Sequence, residues 1–393
     1  MPVILFAVFI DLLGFGIIVP VLPFIVLNFG GDSVSGMALV SIYSLAAFIM
    51  GPIWGRFSDK FGRKPALAGT FLGATISYVT LGLADTLLLL FLARAMSGAM
   101  AGNIGIVMAA MADVTTEENR GKAIGWIGAA FGLGFALGPG IGGILSTIGG
   151  GGEPNIFWAG MTAASLSFTA MILTTIFVPE TNKKKTDGEE HKDAPKWTSV
   201  FKQPGQTALL AMFIITAIGQ SISFAITPFW AERVLGWNSA QVGYLLMASG
   251  GCVFFIQLFA IGPLFKKFGE VKSLGLALGF HLIGVAIILY GPAEPITAIL
   301  GFPIIMSGMT LTFPALNSLV SRRTDERLQG TALGISNGLS SLGRIAGPIT
   351  AGTVFTASVA APFYIIATTG IVVIFWTIWE LSARPAHMKA PAE

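Results

Sequence analysis

One cysteine and three histidines are all that 393 residues hold of thiol and imidazole side chains. The lone Cys252 excludes an internal disulfide and, set inside an apolar run, reads as a small core residue. His191, His281 and His387 are scattered, and no HExxH or CxxC spacing occurs. A metal site, a metal cofactor and nucleophilic-triad chemistry are therefore not expected, and the chain does not read as an enzyme. Charge is scarce as well. Only 11% of residues are charged against 54% hydrophobic, and the mean hydropathy is +0.78. That is too little polarity to cover a soluble fold of this size. The strict apolar/polar alternation of outer-membrane barrel strands is missing too.

What remains is a series of long apolar runs. Stretches of roughly twenty residues, enough to cross about 30 Å of hydrocarbon as helix, fall at 3–28, 36–57, 65–84, 87–112, 121–146, 156–178, 206–230, 241–265, 273–291, 296–319, 329–354 and 360–382. The expectation is an all-α polytopic membrane protein with twelve transmembrane helices. The first run is too long for a signal peptide and lacks a basic flank and a cleavage site, so it stays as the first span. Of the 23 Lys and Arg, all but Arg94, Arg233 and Arg344 lie in the loops after even-numbered spans or in the C-terminal tail. Basic loops face the cytoplasm, which puts both termini there. The net charge of +3 reflects this asymmetry and gives no sign of nucleic-acid binding.

Residues 179–204 form the only long polar stretch and read as a solvated cytoplasmic linker between an N-terminal six-helix bundle, 1–178, and a C-terminal one, 205–393. Sliding the chain along itself by 209 residues lays 115–143 over 324–352 with ten identities in 29, among them Glu117/Glu326, Gly121/Gly330, Gly138/Gly347 and Pro139/Pro348. A weaker echo pairs "SDKFGRK" after span 2 with "FKKFGEV" after span 8. Two parallel repeats put a cavity at their interface near the bilayer midplane.

Asp11 is the one carboxylate placed well inside a span. Such a group costs about 2.5–3.5 kcal/mol on insertion scales, so it must face the interior and either find a partner or take up a proton. Pro20 and Pro23 are expected to bend the first span beyond it. In the turn after span 2, Gly55 and Gly62 allow close approach, and Asp59 can accept bonds from nearby Arg63 and Lys64. In span 5, Gly132, Gly134, Gly138, Gly140, Gly142 and Gly143 make a smooth strip for backbone-to-backbone packing, with Pro139 bending the helix.

"GRFSDKFGRK" (55–64), "LFLARAMSGAMAG" (90–102) and "GLGFALGPGIGG" (132–143) resemble three signature motifs of the major facilitator superfamily, the last one associated with its proton-coupled exporters. The resemblance covers essentially the whole chain. "DLLGFGIIVPVLP", the 111–143 stretch, "IGQ" and "GWNSAQVG" are most similar to bacterial tetracycline efflux transporters and their drug/proton antiporter relatives. It implies that Gly55, Asp59, Gly62, Arg63 and Lys64 latch one half to the other on the cytoplasmic face, the alternative being that their charges only anchor the topology. It implies also that Gly134, Gly138, Pro139, Gly142 and Gly143 pack moving helices, and that Arg94 is the cation facing Asp11. If Arg94 approaches or withdraws, Asp11's hold on a proton changes; otherwise the two are a permanent structural pair.

His281 in span 9 either joins proton coupling or simply hydrogen-bonds a neighbour. Arg344, the repeat partner of Phe135, contacts an anionic substrate, closes a gate or is structurally paired. Tyr43, Tyr78, Asn103, Gln220, Phe224, Gln257, Asn317 and Asn337 are the remaining cavity candidates, few polar groups among many aromatics, as an apolar ligand would want. Where tetracycline transporters carry further acids in spans 3 and 9 and a histidine in span 8, this chain has Ser77, Ile283 and Val253. The function implied is proton-coupled efflux of a small lipophilic drug or metabolite across the bacterial inner membrane by a monomer, with tetracycline one candidate. The alternative is a proton symporter importing a sugar or organic acid.

Overall fold

Short polar residues start several helices where the apolar runs begin. The Asp32 carboxylate accepts the Ser35 N–H at 2.8 Å, Thr86 accepts the Leu89 N–H, and Asn238 and Gln241 close a reciprocal capping box. The computed structural model describes residues 2–115, 117–149, 154–181, 197–202, 205–324 and 328–383, and among them every regular element is helical. The α-helices are α1 (Pro2–Ile18), α2 (Leu22–Asn28), α3 (Ser33–Phe61), α4 (Arg63–Gly82), α5 (Leu87–Ala99), α6 (Asn103–Val114), α7 (Glu117–Leu145) and α8 (Phe157–Phe177), then α9 (Gln206–Leu235), α10 (Ser239–Phe255), α11 (Ile261–Tyr290), α12 (Pro295–Met309), α13 (Thr312–Arg323), α14 (Gln329–Ala357) and α15 (Ala361–Ala383). A short 3-10 turn spans Trp197–Lys202, and a π-helical turn, Ile256–Ala260, joins α10 to α11.

Nine described stretches are long and apolar enough to cross a membrane. One of them, Ser239–Tyr290, contains two of the expected spans, divided at Gly269, whose φ of 73° ends one helical direction and starts another. Helices α4 and α14, which coincide with two more expected spans, are not among the nine.

Three expected spans are broken internally. The first breaks at Val19–Val21, around Pro20, and Pro23 falls in the first turn of α2, where a missing N–H is tolerated. The α5/α6 break at 100–102 and the α12/α13 break at 310–311 are repeat-equivalent, since Asn103 and Thr312, the residues that restart each helix, are related by the 209-residue offset.

Helices α1 to α8 pack among themselves, and α9 to α15 do likewise. The two groups meet along α7 with α10 and α3 with α14. They are closed at one end. There Phe24 and Met37 share a buried cluster with Phe229, Trp230 and Phe355, and Ser146 and Ser239 hydroxyls bond at 2.6 Å. Contact thins toward the end that carries the basic turns. A Cβ placed on Gly51, Gly55, Gly128, Gly262 or Gly334 would meet nothing within 4 Å, and Phe57, Phe255 and Phe259 are exposed.

Of the expected linker, only 179–181 and 197–202 are described; His191 lies outside the described residues, as do Glu326 and His387. The start of that linker is not simply solvated. Glu180 accepts the backbone N–H groups of Arg63 (2.8 Å) and Lys64 (3.2 Å), satisfying donors at the α4 N-terminus. Cys252 is also corrected: it is exposed on the outer surface of α10.

Candidate functional site

Asp11 is buried on α1 near the centre of the first helix group. Its Oδ2 accepts Asn103 Nδ2 at 2.6 Å and its Oδ1 accepts Ser167 Oγ at 2.7 Å. Asn103 opens α6 just past the α5/α6 break, and Ser167 projects from α8. Asn103, read as cavity-lining, is therefore buried and committed to Asp11, and Tyr78 is 3% exposed rather than open to the cleft.

The expected Asp11–Arg94 ion pair is not formed. Among the described residues no carboxylate lies within ion-pair distance of Arg94, which is 2% exposed and leaves Nε and Nη1 without hydrogen-bond partners. Its guanidinium lies over the rings of Tyr43 (4.5 Å) and Phe15 (5.6 Å) instead. The break at 100–102 separates the two residues' faces, so that the start of α6, and not α5, reaches Asp11.

From Arg94 an aromatic chain crosses toward the second group. Tyr43 contacts Phe15 at 5.1 Å, Phe15 contacts Phe135 at 5.7 Å, and Phe135 contacts Phe224 at 5.7 Å. Phe15 and Phe224 are mates under the 209-residue offset, as are Phe135 and Arg344. The mates of Asp11 and Asn103 are Gln220 and Thr312, and those two line a recess with Ser340 and Arg344. Arg344 and Gln220 are exposed, with Arg344 Nη2 donating to Ser341 Oγ at 2.9 Å. The first group thus holds a titratable, sealed copy of the site and the second an acid-free copy that carries a cation, Arg344, with Arg344 and Gln220 exposed.

The other cavity candidates divide. Phe224 and Tyr43 are half-buried in the aromatic chain, while Gln257 and Asn337 are exposed. Asn317 donates to the Phe313 carbonyl of its own helix. His281 is fully buried elsewhere, with Nδ1 3.0 Å from the Ile305 carbonyl, its Cα and Cβ against Gly308 and its ring against Gly370. The structure does not bring it together with Asp11; it serves the contact of α11 with α12 and α15.

The glycine strip of α7 has two faces. A Cβ on Gly134 would lie 2.9 Å from Leu12 Cβ, one on Gly138 would lie 2.7 Å from Gly16 Cα, and one on Gly142 would collide with the Ile17 carbonyl, all on α1. On the other face, a Gly143 Cβ would lie 2.7 Å from the Ser239 carbonyl oxygen, and Gly140 abuts Met247 of α10. Helix α10 answers with glycines that the sequence reading missed: a Gly243 Cβ would be 2.5 Å from the Pro139 carbonyl oxygen, and a Gly250 Cβ 2.6 Å from that of Phe135. Their seven-residue spacing was the available signal. The repeat holds in packing too, with Gly343 and Gly347 of α14 set against α9 and Gly352 against Met37 of α3.

The turn after α3 carries a charged network. Arg63 donates to Asp59 (2.6 Å), Ser58 (2.9 Å) and Asp113 (3.1 Å), all in the first group. Burial works against the Arg63 charge, but the bonds to Asp113 and Asp59 outweigh it and hold the guanidinium protonated. Gly62 has φ 110°, and a Cβ there would strike the Glu180 carboxylate, so glycine is required on two counts. Gly55, by contrast, approaches nothing. The echo in the second group reverses the sign: Glu270, which follows the positive-φ Gly269, pairs with Arg322 of α13 at 3.4 Å, where Arg63 pairs with Asp113 of α6.

Comparison with known proteins agrees with this geometry. A family model described as Major Facilitator Superfamily matches residues 4–348. The chain is 30% identical to "Tetracycline resistance protein, class H" of Pasteurella multocida, over 91% of this chain and 89% of that protein. It is 29% identical to "Multidrug resistance protein 1" of Bacillus subtilis, over 99% and 98%. Among solved structures, the nucleoside transporter NupG superposes with a TM-score of 0.78 at 15% identity, covering 97% of this chain and 99% of that one. The human organic anion transporter MFSD10 gives 0.72 at 21% identity, covering 96% and 98%.

Proposed function

The chain belongs to the major facilitator superfamily, a multi-pass membrane transporter and not an enzyme, and from that premise we propose that it exports small lipophilic molecules in exchange for protons. The observation that carries the reading is Asp11: a sealed, hydrogen-bonded carboxylate in the same helix group as a buried arginine with unmet donors, and that arginine stands at one end of an aromatic chain that reaches the other helix group. Asp11 is the proton carrier. Arg94 is the counter-charge it meets in another state, since a buried guanidinium with two unsatisfied N–H groups is costly to leave so.

Labour is divided between the two six-helix domains, which meet across the linker at 179–204. The first holds the proton, and the acid-free recess around Gln220, Thr312 and Arg344 in the second meets the substrate. Rocking along the glycine seams of α7 and α10 exchanges access, with the basic end facing the cytoplasm and a monomer sufficing. The similarity to tetracycline and multidrug resistance proteins supports a drug-like substrate in the bacterial inner membrane. Ser77, Ile283 and Val253 favour a lipophilic one over a metal chelate.

The test uses everted membrane vesicles with an acid interior, tetracycline and a lipophilic dye as probes. Gradient-driven accumulation is expected for at least one probe, and Asp11→Asn should abolish it. Accumulation undiminished in Asp11→Asn would overturn the proposal.

A further inference from the structure

Asp11 sits between two donors of different chemistry, and the difference assigns its proton. Resting on the proposed role of Asp11 as carrier, we infer that Ser167 is a positioning residue for the transported proton: the carboxyl is protonated on Oδ1, and the Ser167 hydroxyl changes from donor to acceptor as the proton arrives.

The Asn103 side cannot take part in that change. Its Oδ1 already accepts the Ile104 N–H at 2.8 Å, which commits the NH₂ group to Asp11 Oδ2. An amide NH₂ only donates, so a proton on Oδ2 would set donor against donor. A hydroxyl both donates and accepts. On the same helix Ser165, Thr169 and Thr175 each donate to the carbonyl four residues back at 2.8 Å, whereas Ser167 turns to Asp11. An alternative acceptor, the Ala163 carbonyl, is therefore built into α8.

The step balances. In the state that admits water to Asp11, a proton from that water binds Oδ1, and the new O–H donates to Ser167 Oγ. The Ser167 hydrogen swings to the Ala163 carbonyl, and Asn103 keeps its bond to Oδ2 throughout. Release reverses each move, and none of the polar groups of Asp11, Asn103 and Ser167 is orphaned in either state. The titratable groups within electrostatic reach are Tyr78 on α4 and Tyr43 on α3, and Arg94 on α5 acts on both. Helices α6, α8 and α7 present Asn103, Ser167 and the Gly134 backbone.

The experiment is an infrared pH titration of the purified full chain, with the Asp11 carboxyl band identified as the one missing from Asp11→Asn. If the proton sits on Oδ1, the C=O oxygen is Oδ2. Losing its donor in Asn103→Ala should then raise the band frequency, and Ser167→Ala should leave the frequency in place. Because a bond to the charged form is the stronger one, Ser167→Ala should move the titration midpoint up by about one pH unit, and Ser167→Thr should restore it. A band that rises in Ser167→Ala and stays in Asn103→Ala, or a midpoint unmoved by Ser167→Ala, overturns the inference while leaving the efflux reading intact. The absence of any titrating band that depends on Asp11 would strike the efflux reading itself.

Discussion

Replacing Gly138 by alanine adds one methyl group at a place where none fits. The Cβ would lie 2.7 Å from Gly16 Cα, 2.8 Å from Gly16 C and 2.9 Å from the Leu13 carbonyl oxygen, all backbone atoms that no side-chain rotation can clear. Restoring ordinary contact means moving α7 about 1 Å off α1, which costs about 1–3 kcal/mol by analogy with overpacked cores. Sliding along the helix gives no relief, because Gly134 and Gly142 bring the same crowding one turn away on each side. The matched control is Gly128→Ala on the same helix, where nothing lies within 4 Å and alanine should gain about 0.5–1 kcal/mol from helix propensity. A gap of about 1.5–4 kcal/mol between the two variants is expected when unfolding in detergent micelles is followed by tryptophan fluorescence. Vesicle exchange should fall in Gly138→Ala alone. Equal stability of the two variants would refute backbone packing as the role of this face.

Gly62→Ala should cost about 1–3 kcal/mol through its positive φ alone, and adding Glu180→Ala should recover only the part due to collision with that carboxylate, as read by thermal unfolding of the single and double variants. Arg63→Lys keeps the charge but loses the fork that serves Asp59, Ser58 and Asp113 together, so the melting temperature should fall even though net charge is unchanged. Asp32→Ala removes the α3 cap at a cost of about 0.5–2 kcal/mol. The two bonds from Ser35 hold the Asp32 carboxyl below its ordinary value of 3.8, so this stabilisation is complete above that pH and fades as pH falls through the lowered value; in Asp32→Asn the melting temperature should lose that acid dependence.

The helical architecture was legible because hydrocarbon imposes length, and Asp11 was legible because a carboxylate in a span is costly enough to stand out. Its partners were not. Ser167 looks in sequence like Ser165 and Thr169, and only the packing of α8 on α1 distinguishes it. Arg94 and Asn103 share one expected span, and a break of three residues decides which of them faces the acid. The glycines of α7 read as one strip, since a strip does not say that Gly134, Gly138 and Gly142 serve α1 while Gly140 and Gly143 serve α10. The 55–64 motif announced a charged turn, yet the end of α6 and Glu180 supplied partners that spacing along the chain cannot specify.

Where α7 meets α10, main chain touches main chain at Gly143, Gly243 and Gly250, and the side chains that mesh, Met247 and Phe254, seat against the glycines Gly140 and Gly132. Such a seam has few teeth: close contact resists separation, while much of the surface is glycine and leaves few side-chain torsions in which to absorb a displacement. A tilt begun at one helix is handed to the other undiminished, as in a plain bearing.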